Sequence, residues 1–131
     1  MYKWSKSSKK RLESCHPDLQ RIFNHVIKYV DCKVTDGHRG EEKQNEYFAL
    51  GKSQKKWPES GHNKIPSEAI DVVPYPVNWT NVNRFYMFVG YVRAVADRMG
   101  IKIKTGADWD GDWLTSDQTF NDLPHYRLII S

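Results

Sequence analysis

Apolar residues recur every three or four positions along three stretches of the chain, which is the period of an amphipathic α-helix. These stretches are residues 16–30, where Pro17 suits a first helical position, residues 41–50, and residues 80–99, which we expect Thr80 to cap. The side chains predicted to face the core are Leu19, Ile22, Phe23, Val26, Ile27 and Val30 in the first helix, Tyr47, Phe48 and Leu50 in the second, and Val82, Phe85, Val89, Val92, Ala96 and Met99 in the third.

Shorter apolar segments have the alternating or continuous pattern of β-strands and are separated by glycine, proline and polar residues. They cover residues 33–36, 69–73, 101–104 and 125–130. Long polar loops precede the second and the fourth, over residues 52–67 and 106–122. Helices that alternate with short strands and long loops predict an α+β fold, in which a small antiparallel sheet is backed by about three helices.

The chain of 131 residues is long enough for one domain, residues 1–131, and its 39% hydrophobic and 27% charged residues are typical of a globular protein. We expect residues 1–11, rich in Lys and Ser, to form a basic, partly ordered arm. No apolar run suits a membrane helix or a signal peptide, so we expect a protein made in the cytoplasm that does not bind membranes. Cys15 and Cys32 have no C-x-x-C spacing and are expected to be reduced, half-buried thiols.

A net charge of +4 and a pI near 9.0 favour an anionic partner but do not choose among nucleic acid, cell-wall polymer and lipid. The chain has no RNP, helix-turn-helix or zinc-finger signature, so we expect no nucleic-acid partner. Five Trp and seven Tyr are many for so small a core. Most are expected in the core and at its rim, and some in a ligand groove.

Histidines stand close to both long loops, and a carboxylate interrupts one of the apolar strands. His62 lies in the first loop, Asp71 lies within Ala69–Val73, and His125 begins the last predicted strand. A carboxylate among apolar residues needs a partner, and two histidines with one carboxylate are a common zinc ligand set. The alternative is that both histidines are surface or otherwise satisfied residues and that Asp71 pairs with Arg39 or a lysine.

A hydrolase also needs a base near the water that attacks the substrate. Asp122 precedes His125 by three residues across a turn that contains Pro124, so it is the candidate base. A second acidic group, Asp108, Asp110 and Asp112, is similar to the start of a calcium loop. The twelfth position of that loop is Thr119 rather than Glu, so an EF-hand is excluded and a solvated acidic loop is expected.

These residues stand in an order that resembles a known enzyme family. Ser60-Gly61-His62, then Ala69-Ile70-Asp71, and finally Asp122-Leu123-Pro124-His125 resemble the S-x-H, A-x-D and D-x-x-H motifs of the hedgehog-like zinc peptidases. That group includes D-alanyl-D-alanine carboxypeptidases and phage L-alanyl-D-glutamate endopeptidases, and the chain is most similar to the phage enzymes. The likeness extends over roughly residues 15 to 130.

The resemblance implies a role for each matching residue. His62, Asp71 and His125 would bind Zn²⁺, Asp122 would be the general base, and Arg39 would face the scissile carbonyl. Gln44 and Ser67 match positions that help to orient substrate or ligands. For Arg39 the alternative is a salt bridge to Glu41 or Glu42.

The sequence departs from the family pattern at two places. Eight residues, 63–70, separate His62 from Asp71, where six are commoner, and Arg127 stands where relatives often have Glu. The second departure, a positive charge in place of a negative one, is expected to change which substrate charge the protein prefers rather than whether it hydrolyses the substrate.

The resulting hypothesis is a monomeric zinc peptidase that cuts the stem peptide of peptidoglycan, at the L-alanyl-D-glutamate bond, after its release from the cytoplasm. The alternatives are a D-alanyl-D-alanine carboxypeptidase and a non-catalytic, zinc-containing module that binds the cell wall. Product analysis would distinguish the two enzymes, and replacement of Asp122 would leave only the non-catalytic module unaffected.

Overall fold

An antiparallel sheet of four strands, in the order β1-β2-β4-β3, forms the centre of the protein in a computed structural model that describes residues 1–115 and 121–130. The strands are β1 Cys32–Asp36, β2 Ala69–Pro74, β3 Ile103–Gly106 and β4 Asp122–Leu128, and the helices are α1 Lys6–Glu13, α2 Pro17–Val26, α3 Glu41–Ala49 and α4 Val82–Arg98. A single 3₁₀ turn covers Gly61–Asn63. The predicted α+β class with an antiparallel sheet is confirmed.

One face of the sheet is packed against α2 and α4 and forms the hydrophobic core. Ile70 and Val72 of β2 and Tyr126 of β4 are completely buried in it. Phe23 of α2 meets the Tyr126 ring edge to face, with the ring centres 5.3 Å apart. Since side chains alternate along a strand, Asp71 points to the opposite face.

The predicted N-terminal arm is wrong, because residues 6–13 form helix α1. Leu12 is buried in the core, and the Ser8 hydroxyl accepts a hydrogen bond of 3.1 Å from the backbone N–H of Val34. Arg11 Nη1 donates to the Val34 carbonyl at 3.2 Å. Strand β1 is an edge of the sheet, so α1 satisfies backbone groups that would otherwise be unpaired. With so few apolar residues, this helix has no periodicity that the sequence could reveal.

The helices differ from their predicted bounds and faces in several places. Helix α2 ends at Val26 rather than at residue 30, and turns follow it. In α3, Phe48 and the adjoining Leu50, which were predicted to face the core, are exposed, and Gln44 is the buried residue. Helix α4 is capped by Asn81, whose side chain accepts from the Arg84 N–H, rather than by Thr80. Val82 at its start is 42% exposed and is not a core residue.

The last two strands also shift from their predicted positions. Strand β3 begins at Ile103, and β4 begins at Asp122 and ends at Leu128, which leaves Ile129 and Ile130 exposed. Residues 116–120 of the predicted loop 106–122 lie outside the described residues.

Both cysteines are free, as predicted, but they are buried rather than half-buried. Burial raises the pKa of Cys15 and of Cys32 to about 12, so both are inert thiols at neutral pH. Within the described ranges, no helix is both long and apolar enough to cross a membrane.

The strand pairing is irregular at two places, one between β1 and β2 and the other between β3 and β4. Val34 pairs with Val72, but Asp36 pairs with Asp71, so one extra residue stands in β1. This bulge moves Asp36 out of the alternation that buries Val34 and places it beside Asp71. Between β3 and β4 the register also shifts before Gly106, which pairs with Asp122.

Candidate active site

His62, Asp71 and His125 come together on the polar face of the sheet. His62 Nε2 lies 3.2 Å from Asp71 Oδ1 and 3.3 Å from His125 Nδ1, and that nitrogen lies 3.2 Å from the same Asp71 oxygen. The three atoms form a nearly equilateral triangle. Donors at about 2.0–2.1 Å from a tetrahedral zinc ion would be separated by about 3.3 Å, so these three residues fit one face of such a site.

Asp71 and His125 owe their proximity to the sheet, because they are directly paired across β2 and β4. His62 arrives from the 3₁₀ turn, which Ser60 and Asn63 stabilise in a reciprocal cap. Its Nδ1 lies 2.7 Å from the Gly37 carbonyl. A carbonyl oxygen only accepts, so Nδ1 carries a proton and donates it to Gly37, which leaves Nε2 as the ring atom that faces Asp71 and His125.

The electrostatics of this triangle favour a positive charge at its centre. Burial alone would raise the pKa of Asp71, but the nearby His62 and His125 outweigh burial and hold that pKa below its ordinary value. Burial alone would lower the pKa of His62, and the Asp71 carboxylate reverses this and raises it. Side-chain exposure is only 2% for His62 and 12% for His125, so neither is a surface histidine.

Asp122 starts β4 and lines the same groove as the triangle. Burial and then the negative charge of Asp71 raise the pKa of Asp122 to about 6. A carboxylate with this pKa is a stronger base than an ordinary aspartate and is still ionised at neutral pH.

Arg39 is 4% exposed and is held on several sides. Its Nε and Nη2 donate to Asp36 Oδ2 at 2.9 and 2.6 Å, and its Nη1 donates to Gln44 Oε1 at 2.8 Å. Nη2 also lies 3.7 Å from Asp71 Oδ2, and the guanidinium stacks 4.4 Å from the centre of the Tyr47 ring. The alternative that Arg39 forms a salt bridge to Glu41 or Glu42 is therefore wrong. The alternative that Asp71 pairs with Arg39 is confirmed, but Asp71 contacts the two histidines as well.

Gln44 and Ser67, predicted to orient substrate or ligands, are both completely buried and do not line the groove. Gln44 accepts from Arg39 and donates from Nε2 to the Lys55 carbonyl at 2.6 Å. The Ser67 hydroxyl donates to the Ala69 carbonyl at 2.6 Å, at the start of β2. Neither side chain therefore contacts substrate directly. Gln44 holds Arg39, which does line the groove, whereas Ser67 binds the backbone at the start of β2.

The groove around the triangle is open and has a volume of about 1190 Å³. Aromatic rings from three parts of the chain line it, namely those of Tyr47, Trp79 and Trp109. The centre of the Trp109 ring lies 5.3 Å from that of His125. The expectation that some aromatic residues face a groove agrees with this lining.

Sequence reasoning missed Asp36, which is 5% exposed and binds Arg39 through two nitrogens. Regular alternation along β1 would put Asp36 on the core face. The bulge before Asp36 shifts it to the polar face, where it lies beside Asp71. Its three-residue distance from Arg39 is the one signal in the sequence, and that spacing is common in any charged segment.

The second acidic group is only partly as predicted. Carboxylate oxygens of Asp108, Asp110 and Asp112 lie within 4.8 Å of one another. Asp110 and Asp112 are exposed, whereas Asp108 is 3% exposed and accepts from Arg93 Nη1 at 3.0 Å. The expectation of a fully solvated loop is therefore wrong for Asp108.

Comparison with known proteins identifies the family of the chain and agrees with its fold. The family model described as phage L-alanyl-D-glutamate peptidase matches residues 1–129. The L-alanyl-D-glutamate peptidase of Escherichia phage T5 is 29% identical over 119 residues, 86% of each chain. The crystal structure of the Serratia marcescens L-Ala D-Glu endopeptidase ChiX superimposes with a TM-score of 0.76 and 29% identity, covering 96% of this chain and 89% of that one.

The fold and the family match define the protein as a peptidase with a helix-backed antiparallel sheet. The chain belongs to the family of phage L-alanyl-D-glutamate peptidases. The resemblance recognised in the sequence motifs is thereby confirmed.

Proposed function

We propose that the protein hydrolyses the bond between L-alanine and D-glutamate in the stem peptide of peptidoglycan, with a zinc ion held by His62, Asp71 and His125. The observation that carries the proposal is the triangle of three donor atoms, each 3.2–3.3 Å from the next, in the groove that Asp122 also lines. Two relatives whose names specify this activity support the choice of bond.

A zinc ion would supply Lewis acidity here, which polarises a carbonyl group and makes a nearby water molecule more acidic. The chain's own residues move the proton. Asp122 takes it from the attacking water and passes it to the nitrogen of the departing D-glutamate. Its raised pKa suits both transfers, because the group releases a proton as readily as it accepts one near neutral pH.

Arg39 stabilises the negative charge that develops on the carbonyl oxygen during attack. Asp36 and Gln44 act as positioning residues, since they bind three of its nitrogens and fix the plane of the guanidinium. An arginine held before substrate arrives needs no reorganisation in the transition state.

The remaining parts of the proposal concern the setting of the reaction. A net charge of +4 and an open groove suit an anionic cell-wall polymer, and we propose that the protein acts as a monomer after release from the cytoplasm. We propose no nucleic-acid or membrane partner.

Mass spectrometry of digested, purified peptidoglycan tests the proposed reaction. The expected fragments carry a new D-glutamate amino terminus and leave L-alanine as the new carboxyl terminus on the glycan. A zinc chelator should abolish their formation, and added zinc should restore it. Release of free D-alanine instead would show a carboxypeptidase, and an intact polymer would favour the non-catalytic module.

A further inference from the structure

Besides Arg39 and Lys52, three cationic side chains line the groove beside the metal-binding triangle, namely those of Lys55, Lys104 and Arg127. Arg127 follows His125 by two residues on β4, so both side chains project from the same face, roughly 7 Å apart along the strand. Lys104 is the direct partner of Arg127 on β3.

Arg127 also lies against the turn that carries His62. A Cβ atom added to Gly61 would be 3.1 Å from Arg127 Nε and 3.3 Å from its Cδ. The glycine before His62 thus leaves room for the arginine side chain. This contact places the guanidinium on the wall of the groove next to a metal ligand.

The three cations repel one another, and the carboxylates that line the same groove, those of Asp71, Asp110 and Asp122, form no ion pair with them in the described part of the chain. Like charges directly opposite on paired strands, as in Lys104 and Arg127, are destabilising. Burial, followed by the charges of Arg127 and Lys104, lowers the pKa of Lys55, and only Glu59 opposes this shift. Across residues 1–115 and 121–130, none of the three cations forms an ion pair.

The position of Lys55 depends on the residues that hold Arg39. Gln44 donates from Nε2 to the Lys55 carbonyl and accepts from Arg39 Nη1 through its oxygen. One buried side chain therefore fixes both the loop that carries Lys55 and the arginine beside Asp71. Because Lys55 is held by the same residue as Arg39, it is better described as a fixed part of the groove than as an independent surface charge.

The substrate in the proposed function carries a suitable anion. Glutamate has two carboxyl groups, and only one of them continues the stem peptide. The other remains free, as a carboxylate on the same residue whose nitrogen is released by cleavage. Arginine binds a carboxylate through two parallel N–H groups, and the lysines add positive charge.

We propose that Lys55, Lys104 and Arg127 form a subsite that binds the free carboxylate of the D-glutamate on the leaving side of the scissile bond. This inference rests on the proposed function and specifies one determinant of its selectivity. Arg127 is the central residue of the subsite, because it contacts both the Lys104 strand and the His62 turn.

Two stem peptides that differ only at this carboxyl group test the subsite. One contains D-glutamate and the other has the free carboxyl replaced by a carboxamide. The wild-type protein should cleave the acid form with a kcat/KM roughly 10- to 100-fold higher than the amide form, the range for a hydrogen-bonded charge. Arg127→Gln and Lys104→Gln should each reduce that ratio, mainly by slower cleavage of the acid peptide.

Lys102→Gln is the matched control, because it removes the same charge from an exposed residue near Lys104 that does not line the groove. It should leave the ratio unchanged. Arg127→Gln should not lower the melting temperature, since it relieves a like-charge pair. Binding of both peptides to chelator-treated protein, measured by calorimetry, should show the same preference and the same loss in the variants.

Equal cleavage of the two peptides by the wild type would overturn the subsite and leave the proposed function intact. An equal loss on both peptides in Arg127→Gln would also overturn it, because a general structural effect would explain the result. Cleavage of neither peptide would overturn the proposed function, and the binding measurement would then decide the subsite alone.

Discussion

The two faces of strands β2 and β4 use the same backbone for opposite purposes. On the helix-covered face, Ile70, Val72 and Tyr126 are completely buried among apolar neighbours. On the other face, Asp71 and His125 alternate with those residues and converge with His62. The helix-covered face therefore stabilises the fold through burial of apolar area, and the other face holds the titratable side chains of the candidate site.

The comparison shows which part of the sheet offsets the unfavourable free energy of burying charged groups at the site. Asp36, Arg39 and Asp71 bring three charged groups out of water, which is unfavourable unless each is paired. The adjacent apolar face supplies the free energy that holds them in place. Substitutions on the two faces should therefore separate effects on stability from effects on activity, even between neighbours in sequence.

The largest contrast is expected between Asp71→Asn and Ile70→Ala. If Asp71 binds zinc as we propose, Asp71→Asn should abolish both zinc binding and hydrolysis. Ile70→Ala leaves a cavity in the core and should cost about 2–5 kcal/mol of unfolding free energy. Urea denaturation, zinc content and kcat on the two folded variants measure the contrast. Near-normal zinc and activity in Asp71→Asn would break it.

A smaller effect on rate is expected at Arg39. If Arg39 stabilises charge in the transition state, Arg39→Lys should lower kcat by about 10²- to 10³-fold with little change in KM. Arg39→Met should retain no activity, since lysine keeps the charge and methionine does not.

Lys43→Met is the control for Arg39, because Lys43 Nζ also lies near Asp36, at 3.4 Å, but belongs to an exposed side chain outside the main groove. It should have near-native kcat. Comparable rates for Arg39→Met and Lys43→Met would show that Arg39 only neutralises Asp36.

The smallest effect concerns the stability of the metal-free protein. The pKa of Asp122 is raised to about 6, so folding favours its protonated form, and that contribution is lost as pH rises from about 4 through 6. Asp122→Asn should therefore stabilise chelator-treated protein at pH 7 by about 1–3 kcal/mol, with the gain disappearing near pH 4. Urea unfolding at both pH values would test this. A loss of stability at pH 7 would assign Asp122 a structural role.

The core face could be predicted from sequence because alternation and helical period encode it directly. Ile70, Val72, Phe85, Val89, Val92 and Ala96 are buried as the pattern indicates. The pattern failed where tertiary contacts decide. Helix α1 has few apolar residues, and its Ser8 and Arg11 bind an edge strand that the local sequence does not reveal.

The polar face was predictable only in part, for a related reason. The sequence analysis grouped His62, Asp71 and His125 because the resemblance to the zinc peptidases assigns them as ligands, and the structure brings Asp71 and His125 together through the pairing of β2 and β4. The surroundings of Arg39 depend on the β1 bulge, which turns Asp36 toward the site, and no residue in that segment signals it. The burial of Gln44 likewise depends on helix α3 turning a polar side chain inward.

Zinc content and hydrolysis rate, determined on the same preparations of wild type, His125→Ala and Asp122→Asn, test the central claim most directly. We predict about one zinc ion per chain in the wild type and in Asp122→Asn, with the latter slower by on the order of 10²- to 10⁴-fold. His125→Ala should have neither zinc nor activity. Full activity of His125→Ala in metal-free buffer would contradict the metal site. Loss of zinc from Asp122→Asn would instead make Asp122 a ligand and contradict its role as the base.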